Sequence, residues 1–288
     1  MDWLNILIEP LSYPFMQRAI IVSITTGFVC AILSCFLVLK GWSLMGDAIS
    51  HAVLPGIVLA YLGGIPIVIG AFISGFCCSL ATGYIKENCR VKEDTVMGIV
   101  YSGMFAFGLV LFSKVDTEQH LNHILFGSLL GTTKAELYQI VIIATIVSLI
   151  VLFKRKDLML YCFDPVQAKV IGLSVRLLHY GLLAFLALTI VASLQAVGVI
   201  LVIAMLIAPG IIAFLLSRRF ERMLVIAVVV SISSCTFGTL ISFHYSASSS
   251  ACIVLIQALI FIIAQCYRLL TNYYHTTLNK KHIHTSQK

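Results

Sequence analysis

The chain has 288 residues, of which 60% are hydrophobic and only 11% charged, with a mean hydropathy of +1.04. A soluble domain carries about 25% charged residues, so a soluble enzyme or binding module is excluded. The net charge of +7 lies largely in short segments between apolar runs, so it reads as anchoring at an anionic leaflet and not as a nucleic-acid footprint.

Apolar runs recur from Arg18 to Arg268. Each reaches the roughly 18 or more residues that cross a ~30 Å hydrocarbon core as a helix. Nine spans are predicted, at 18–39, 44–63, 65–85, 95–113, 135–153, 177–194, 196–216, 223–243 and 251–270. The expected fold is an all-α polytopic transmembrane bundle of 8 or 9 spans. Residues 1–17 precede it outside the cytoplasm, 18–270 form the membrane domain, and 271–288 form a polar tail expected to be disordered. The first span has no small-residue cleavage site behind it and leads straight into another, as an uncleaved anchor does. With the N-terminus outside and the C-terminus inside, 16 of the 19 Lys and Arg residues fall on the cytoplasmic side; Arg18, Lys114 and Lys134 are the exceptions. This orientation obeys the positive-inside rule.

The second span contains "GDAISHAVLPG", residues 46–56. Asp47 is set within a span, whereas the other 11 acidic residues fall in loops, at termini or, as Glu136 does, at the very start of a span. A charge at the centre of a membrane helix costs about 2.5–3.5 kcal/mol on insertion scales, so it usually faces a cavity or a partner. His51 follows at i+4, on the same helical face. Ala48, Ala52, Gly56 and Ala60 form a small-residue stripe alongside, which permits close helix packing. Pro55 cannot donate to the carbonyl of His51 and leaves that oxygen in need of a partner. Carboxylate and imidazole together suit first-row divalent ions. Two side chains are too few for a tight structural site and fit a transient one completed by other helices or a second subunit. A solvated Asp cap and a satisfied bundle histidine are the structural alternatives.

Farther along, the outer loop 114–123 gathers Asp116, Glu118, His120 and His123, a weaker candidate for outer metal entry or a polar docking surface. The apolar piece 123–133 is too short to span and is expected to be re-entrant or interfacial. Inside the longest inner loop, 154–176, Asp164 is placed to cap a helix, Pro165 suits its first position, Gln167 completes a capping box, and Gly172 suits the stop. A helix of about two turns is therefore expected, too short to be stable unless packed. In "QAVGVILVIAMLIAPG", residues 195–210, Pro209 is expected to kink the span and free the carbonyl of Met205. The nine cysteines show no C-x-x-C spacing and read as buried small apolar residues. His275, His282 and His284 lie in the polar tail.

No P-loop motif is present to cradle ATP phosphates, and neither H-E-x-x-H nor G-x-S-x-G supports an intramembrane hydrolase. One Asp, one His and a capped cytoplasmic helix suggest a passive translocation path driven by a separate ATPase. A stand-alone channel or secondary carrier is the alternative, and an intramembrane metalloenzyme a third reading for which no base is at hand.

The stretch "GWSLMGDAISHAVLPGIVLAYLGG" resembles the signature of the membrane permeases of bacterial ABC importers for manganese, iron and zinc. "HILFGSLLG", "DLMLYCFDPVQAKVIGLSVRLLHY" and "LTIVASLQAVGVILVIAMLIAPG" follow in the expected order, and the wording is nearest to the iron/manganese members. The resemblance covers residues 12–270. It implies a permease of the bacterial inner membrane, homodimeric or paired with a sister permease and surrounded by lipid. Cytoplasmic ATPases would bind the ATP, an extracytoplasmic metal-binding protein would deliver Mn²⁺, Fe²⁺ or Zn²⁺ as transported ion, and no permanent cofactor would be held. It places the translocation-path ligands on Asp47 and His51, and coupling to the ATPase on Asp164, Pro165, Gln167, Ala168 and Gly172. Ile211, Ile212 and Ala213 stand where relatives often carry Ala-Thr-Ala, which puts local packing there in question.

Overall fold

Hydrocarbon offers no hydrogen bonds, so each crossing segment must satisfy its own backbone, and a helix does so within one segment. The computed structural model describes residues 9–42, 44–91, 93–113 and 127–286, and among these there is no strand. All nine predicted spans are present as helices long and apolar enough to cross a membrane. They comprise α1 (Pro14–Lys40), the pair α2 (Met45–Ala52) and α3 (Leu54–Leu62) forming one span, α4 (Ile67–Asn88), α5 (Glu93–Phe112), α6 (Lys134–Phe153), α9 (Val175–Val197), α10 (Val199–Leu216), α11 (Phe220–Tyr245) and α12 (Ser249–Ser286). Between α6 and α9 lie two short helices, α7 (Arg155–Phe163) and α8 (Pro165–Val170).

α1 is the axis of the bundle. It packs on α6, α10 and α11, and Leu33, Phe36 and Leu37 are buried in the main core. Its basic end is stopped by Gly41 at φ 75°, where the N–H groups of Gly41 and Trp42 return to Val38 and Leu37. That left-handed conformation carries no penalty for glycine alone. α10, α11 and α12 pack together on one side of α1, while α2, α3, α4 and α5 form a second group joined to the rest through α9 and α10.

Small residues set the closest approaches. The Ala48–Ala52–Gly56–Ala60 stripe is buried along its length, and α3 meets α4 at Gly56 and Gly70, where a Cβ on either glycine would run into the carbonyl of the other. Pro209 does not stop α10. The N–H of Gly210 donates to Ser34 Oγ of α1 at 2.9 Å, and that hydroxyl donates on to the Ile207 carbonyl at 3.3 Å. Ile212 and Ala213 are fully buried, so the departure from the family wording at 211–213 is accommodated in the core.

Two expectations are revised, at 154–176 and beyond residue 270, and 123–133 is described only in part. The loop 154–176 holds two helices instead of one, because Leu158, Tyr161 and Cys162 bury a face of α7 that the sequence pattern hardly advertises. The described part of 123–133 is a single 3-10 turn, Leu129–Gly131, with Leu129 and Thr132 buried. Beyond residue 270 the chain continues α12 as a helix to Ser286 instead of disorder.

Gly56→Ala should overpack the α3–α4 seam and destabilise the bundle by about 1–3 kcal/mol. Gly98→Ala on α5, which meets nothing within 4 Å, should leave the melting temperature unchanged or raise it slightly. Thermal unfolding of the two variants in detergent checks the contrast.

Candidate functional site

The second span is broken at Val53. Its φ of −69° and ψ of −26° remain helical, so the chain keeps its direction there, and the break reflects the hydrogen bond that Pro55, in the first turn of α3, cannot donate. Backbone N–H groups at the junction reach the carbonyls of Ile49 and His51, and Ser74 Oγ of α4 donates to the Ala52 carbonyl at 2.7 Å. The His51 oxygen expected to stand free is therefore engaged and does not act as a ready third ligand.

On α2, His51 Nε2 lies 3.3 Å from Asp47 Oδ1, and the two side chains are 33% and 31% exposed. Two donors bonded side by side to one first-row ion at ~2.0–2.2 Å stand roughly 3 Å apart, so this spacing fits neighbouring ligands of a single cation. The imidazole is fixed by α5: Tyr101 stacks on it at 6.1 Å, and Phe105 meets it edge-on at 5.0 Å. Behind the pair, Gly46 lies tight against Leu206 of α10. The fixed ring and the partial exposure give a pre-oriented pair open on one side. Among the described residues no group of three or more His, Cys, Asp or Glu gathers at any point, so the pair alone is an incomplete coordination shell.

The remaining candidates fall elsewhere. Pro55 sits against Gly108 of α5 and lines an apolar groove of about 380 Å³ between α3, α4 and α5, with Gly56, Ser74, Cys77, Met104 and Phe107. Pro209 is buried beside Ser34. His120 and His123 lie outside the described residues. All nine cysteines are free thiols. Tyr101 and Phe105 were missed in the sequence reading; an aromatic pair at i and i+4 on a span was their only signal.

At the basic end, α8 is built as its sequence requires. Asp164 Oδ1 accepts from the N–H groups of Val166 at 2.9 Å and Gln167 at 3.0 Å, Pro165 starts the helix, and Gly172 at φ 87° ends it. The return arm of the expected capping box does not form, because the Asp164 N–H is already engaged by the Leu160 carbonyl at 2.8 Å and Gln167 is exposed. Ala168 is fully buried and seats the helix, while Val166, Val170 and Ile171 are exposed at 73%, 81% and 61%. Such apolar exposure at the tip of a capped helix is the character of a docking surface.

Comparison with known proteins follows the same lines. The family model described as "ABC 3 transport family" matches residues 12–268. The chain is 70% identical over 263 residues to the chelated iron transport system membrane protein YfeD of Yersinia pestis, covering 91% of this chain and 89% of that one. It is 54% identical over 258 residues to the manganese transport system membrane protein MntB of Synechocystis sp., covering 90% and 84%. The solved structure of PsaBC from Streptococcus pneumoniae in complex with Fab superimposes with a TM-score of 0.82 at 33% identity, covering 91% of this chain and 95% of that one.

Removing the cap by Asp164→Ala should destabilise α8 by about 1 kcal/mol, and Asp164→Ser should recover most of it. Hydrogen exchange at the Val166 and Gln167 amides measures the loss directly and should accelerate roughly fivefold in the Ala variant.

Proposed function

The chain belongs to the ABC 3 transport family, and on that premise we propose that the bundle is the membrane permease subunit of an ATP-driven importer of divalent transition-metal ions, with Mn²⁺ and Fe²⁺ favoured and Zn²⁺ possible. The observation that carries the reading at this site is the Asp47–His51 pair, held at ligand spacing inside a membrane span and open on one side. A carboxylate and an imidazole neutralise and partly replace the hydration shell of a divalent ion without caging it, and a translocation site must release what it binds.

The incomplete shell is closed by other groups: water, the delivering protein, or the same pair on a second permease, in a homodimer or beside a sister chain. An extracytoplasmic metal-binding protein docks over 114–134 and 244–250. The metal passes to Asp47 and His51. The chain carries no P-loop, so ATP is bound by cytoplasmic ATPase subunits, and their closure acts on α8. The permease then alternates between two packed arrangements instead of opening a continuous pore. In the bacterial inner membrane the N-terminus lies outside and the basic end inside, the orientation that the positive-inside rule favours. A plain N/O site binds Zn²⁺ more tightly than Mn²⁺ or Fe²⁺, so the choice of metal rests on geometry or on the delivering protein. No feature of the site favours a stand-alone channel.

In proteoliposomes containing the permease with its ATPase and binding protein, Asp47→Asn and His51→Ala should assemble and hydrolyse ATP but lose at least tenfold in ATP-dependent uptake of ⁵⁴Mn or ⁵⁵Fe(II). Normal uptake by both variants would refute the assignment. Protons compete with the metal for both ligands, so metal binding to the wild type should weaken steadily as pH falls and should recover on neutralisation. Equilibrium binding of the metal across pH measures this.

A further inference from the structure

Beneath the Asp47–His51 pair, at the basic end, four elements meet on a single histidine. His179 of α9 shares a 2.7 Å hydrogen bond between its Nδ1 and the hydroxyl of Tyr161 on α7. The ring of Trp42 meets the same imidazole edge-on at 5.3 Å, and Gly83 of α4 leaves so little room that a Cβ there would stand 3.3 Å from His179 Nε2. Lys40 Nζ lies 4.1 Å over the Tyr161 ring. Trp42 and Tyr161 are each only 2% exposed.

Both ends of this cluster are wired by backbone into the parts that transport requires. On one side, the carbonyl of Trp42 accepts from the N–H of Met45, the first residue of α2, at 3.3 Å, and Asp47 follows two residues later. On the other, Tyr161 is followed within four residues by Pro165, and the Leu160 carbonyl holds the N–H of Asp164, which caps α8. Cys162 adds a contact from its thiol to the Phe36 carbonyl of α1 at 3.9 Å. Burial pushes that thiol up to about 11, against a smaller lowering by Lys40, so it stays protonated and able to donate.

We propose that the Tyr161–His179 hydrogen bond, with Trp42 packed on the imidazole, is the joint that transmits displacement of α8 to α2, and so positions Asp47 and His51 for binding or release. The inference rests on the proposed function and adds residues that touch neither the metal nor the ATPase. A joint must have two arrangements, since packed interiors switch between states instead of deforming continuously. The indole Nε1–H of Trp42 is buried without a hydrogen-bond partner among the described residues. Buried donors are usually satisfied, so this indole marks a point where the packing around His179 leaves a polar group unmatched. The short hydrogen bond is the part most open to test, because Tyr161→Phe removes it and keeps the ring under Lys40 and the packing of α7.

The test uses the complete complex with ATPase and binding protein in proteoliposomes, reading metal uptake and ATP hydrolysis in the same sample. Tyr161→Phe and His179→Ala should retain ATP hydrolysis stimulated by the binding protein, while metal imported per ATP falls at least fivefold. His179→Asn, which places an amide near the position of Nδ1, should restore most of that ratio. An unchanged ratio in Tyr161→Phe overturns the proposal, whether absolute rates hold or fall together, because a merely structural residue would alter the amount or rate of active complex and not its coupling. If His179→Ala fails to assemble, the isosteric Tyr161→Phe still decides. Failure of the proposed function is distinguishable, since the wild-type complex would then hydrolyse ATP without importing metal.

Discussion

Every irregularity in this bundle has to be repaired where it occurs, because hydrocarbon supplies no hydrogen bonds for an exposed backbone group. Hydroxyls from neighbouring helices do the repair. Ser74 takes up the Ala52 carbonyl beside the break before Pro55. Ser34 receives the Gly210 N–H beside Pro209. Ser250 donates to the Val197 carbonyl where α9 gives way to α10 at Gly198. Each break in a helix is thereby a fixed joint between two helices, and this turns a set of apolar rods into a bundle with defined internal geometry.

The acid–histidine pair depends on that repair. A helix interrupted at Val53 with unpaired carbonyls would fray, and the imidazole one turn earlier would lose its orientation. Ser74 and the junction N–H groups hold the turn, the small-residue stripe draws α3 onto α4, and α5 closes over His51 with two aromatic rings. Asp47 and His51 remain one-third exposed in a core where most polar groups are sealed. Under the proposed function, partial exposure suits a group that must exchange its partner. A fully buried ion pair would be hard to open, and an exposed one would have no hold on a hydrated ion.

The cytoplasmic end shows a different use of the same chemistry. α8 is too short to persist alone and is held by its Asp164 cap, its Gly172 stop and the buried Ala168. α7 anchors it to the bundle through Leu158, Tyr161 and Cys162. The exposed apolar tip is therefore presented on a support that packs against α1 and α9 instead of hanging on an open loop.

Much of this was legible from the sequence because it depends on local composition. Runs of apolar residues determine helices in lipid whatever surrounds them, so the nine spans follow. An Asp-Pro pair followed by Gly at the right distance dictates a capped helix by backbone geometry alone. A residue spacing of four puts Asp47 and His51 on one face of any helix, and puts Ala48, Ala52, Gly56 and Ala60 on a stripe. What the tertiary structure decided depends on partners remote in sequence. Ser74 of α4 reaches the Ala52 carbonyl beside the break from 22 residues away, which no local pattern announces. Tyr101 and Phe105 become the walls of the histidine only because α5 lies beside α2. Tyr161, His179 and Trp42 are brought together from three separate segments, and no periodicity in any one of them announces the meeting. Local rules give the helices and their faces; which face meets which is a property of the whole packed bundle.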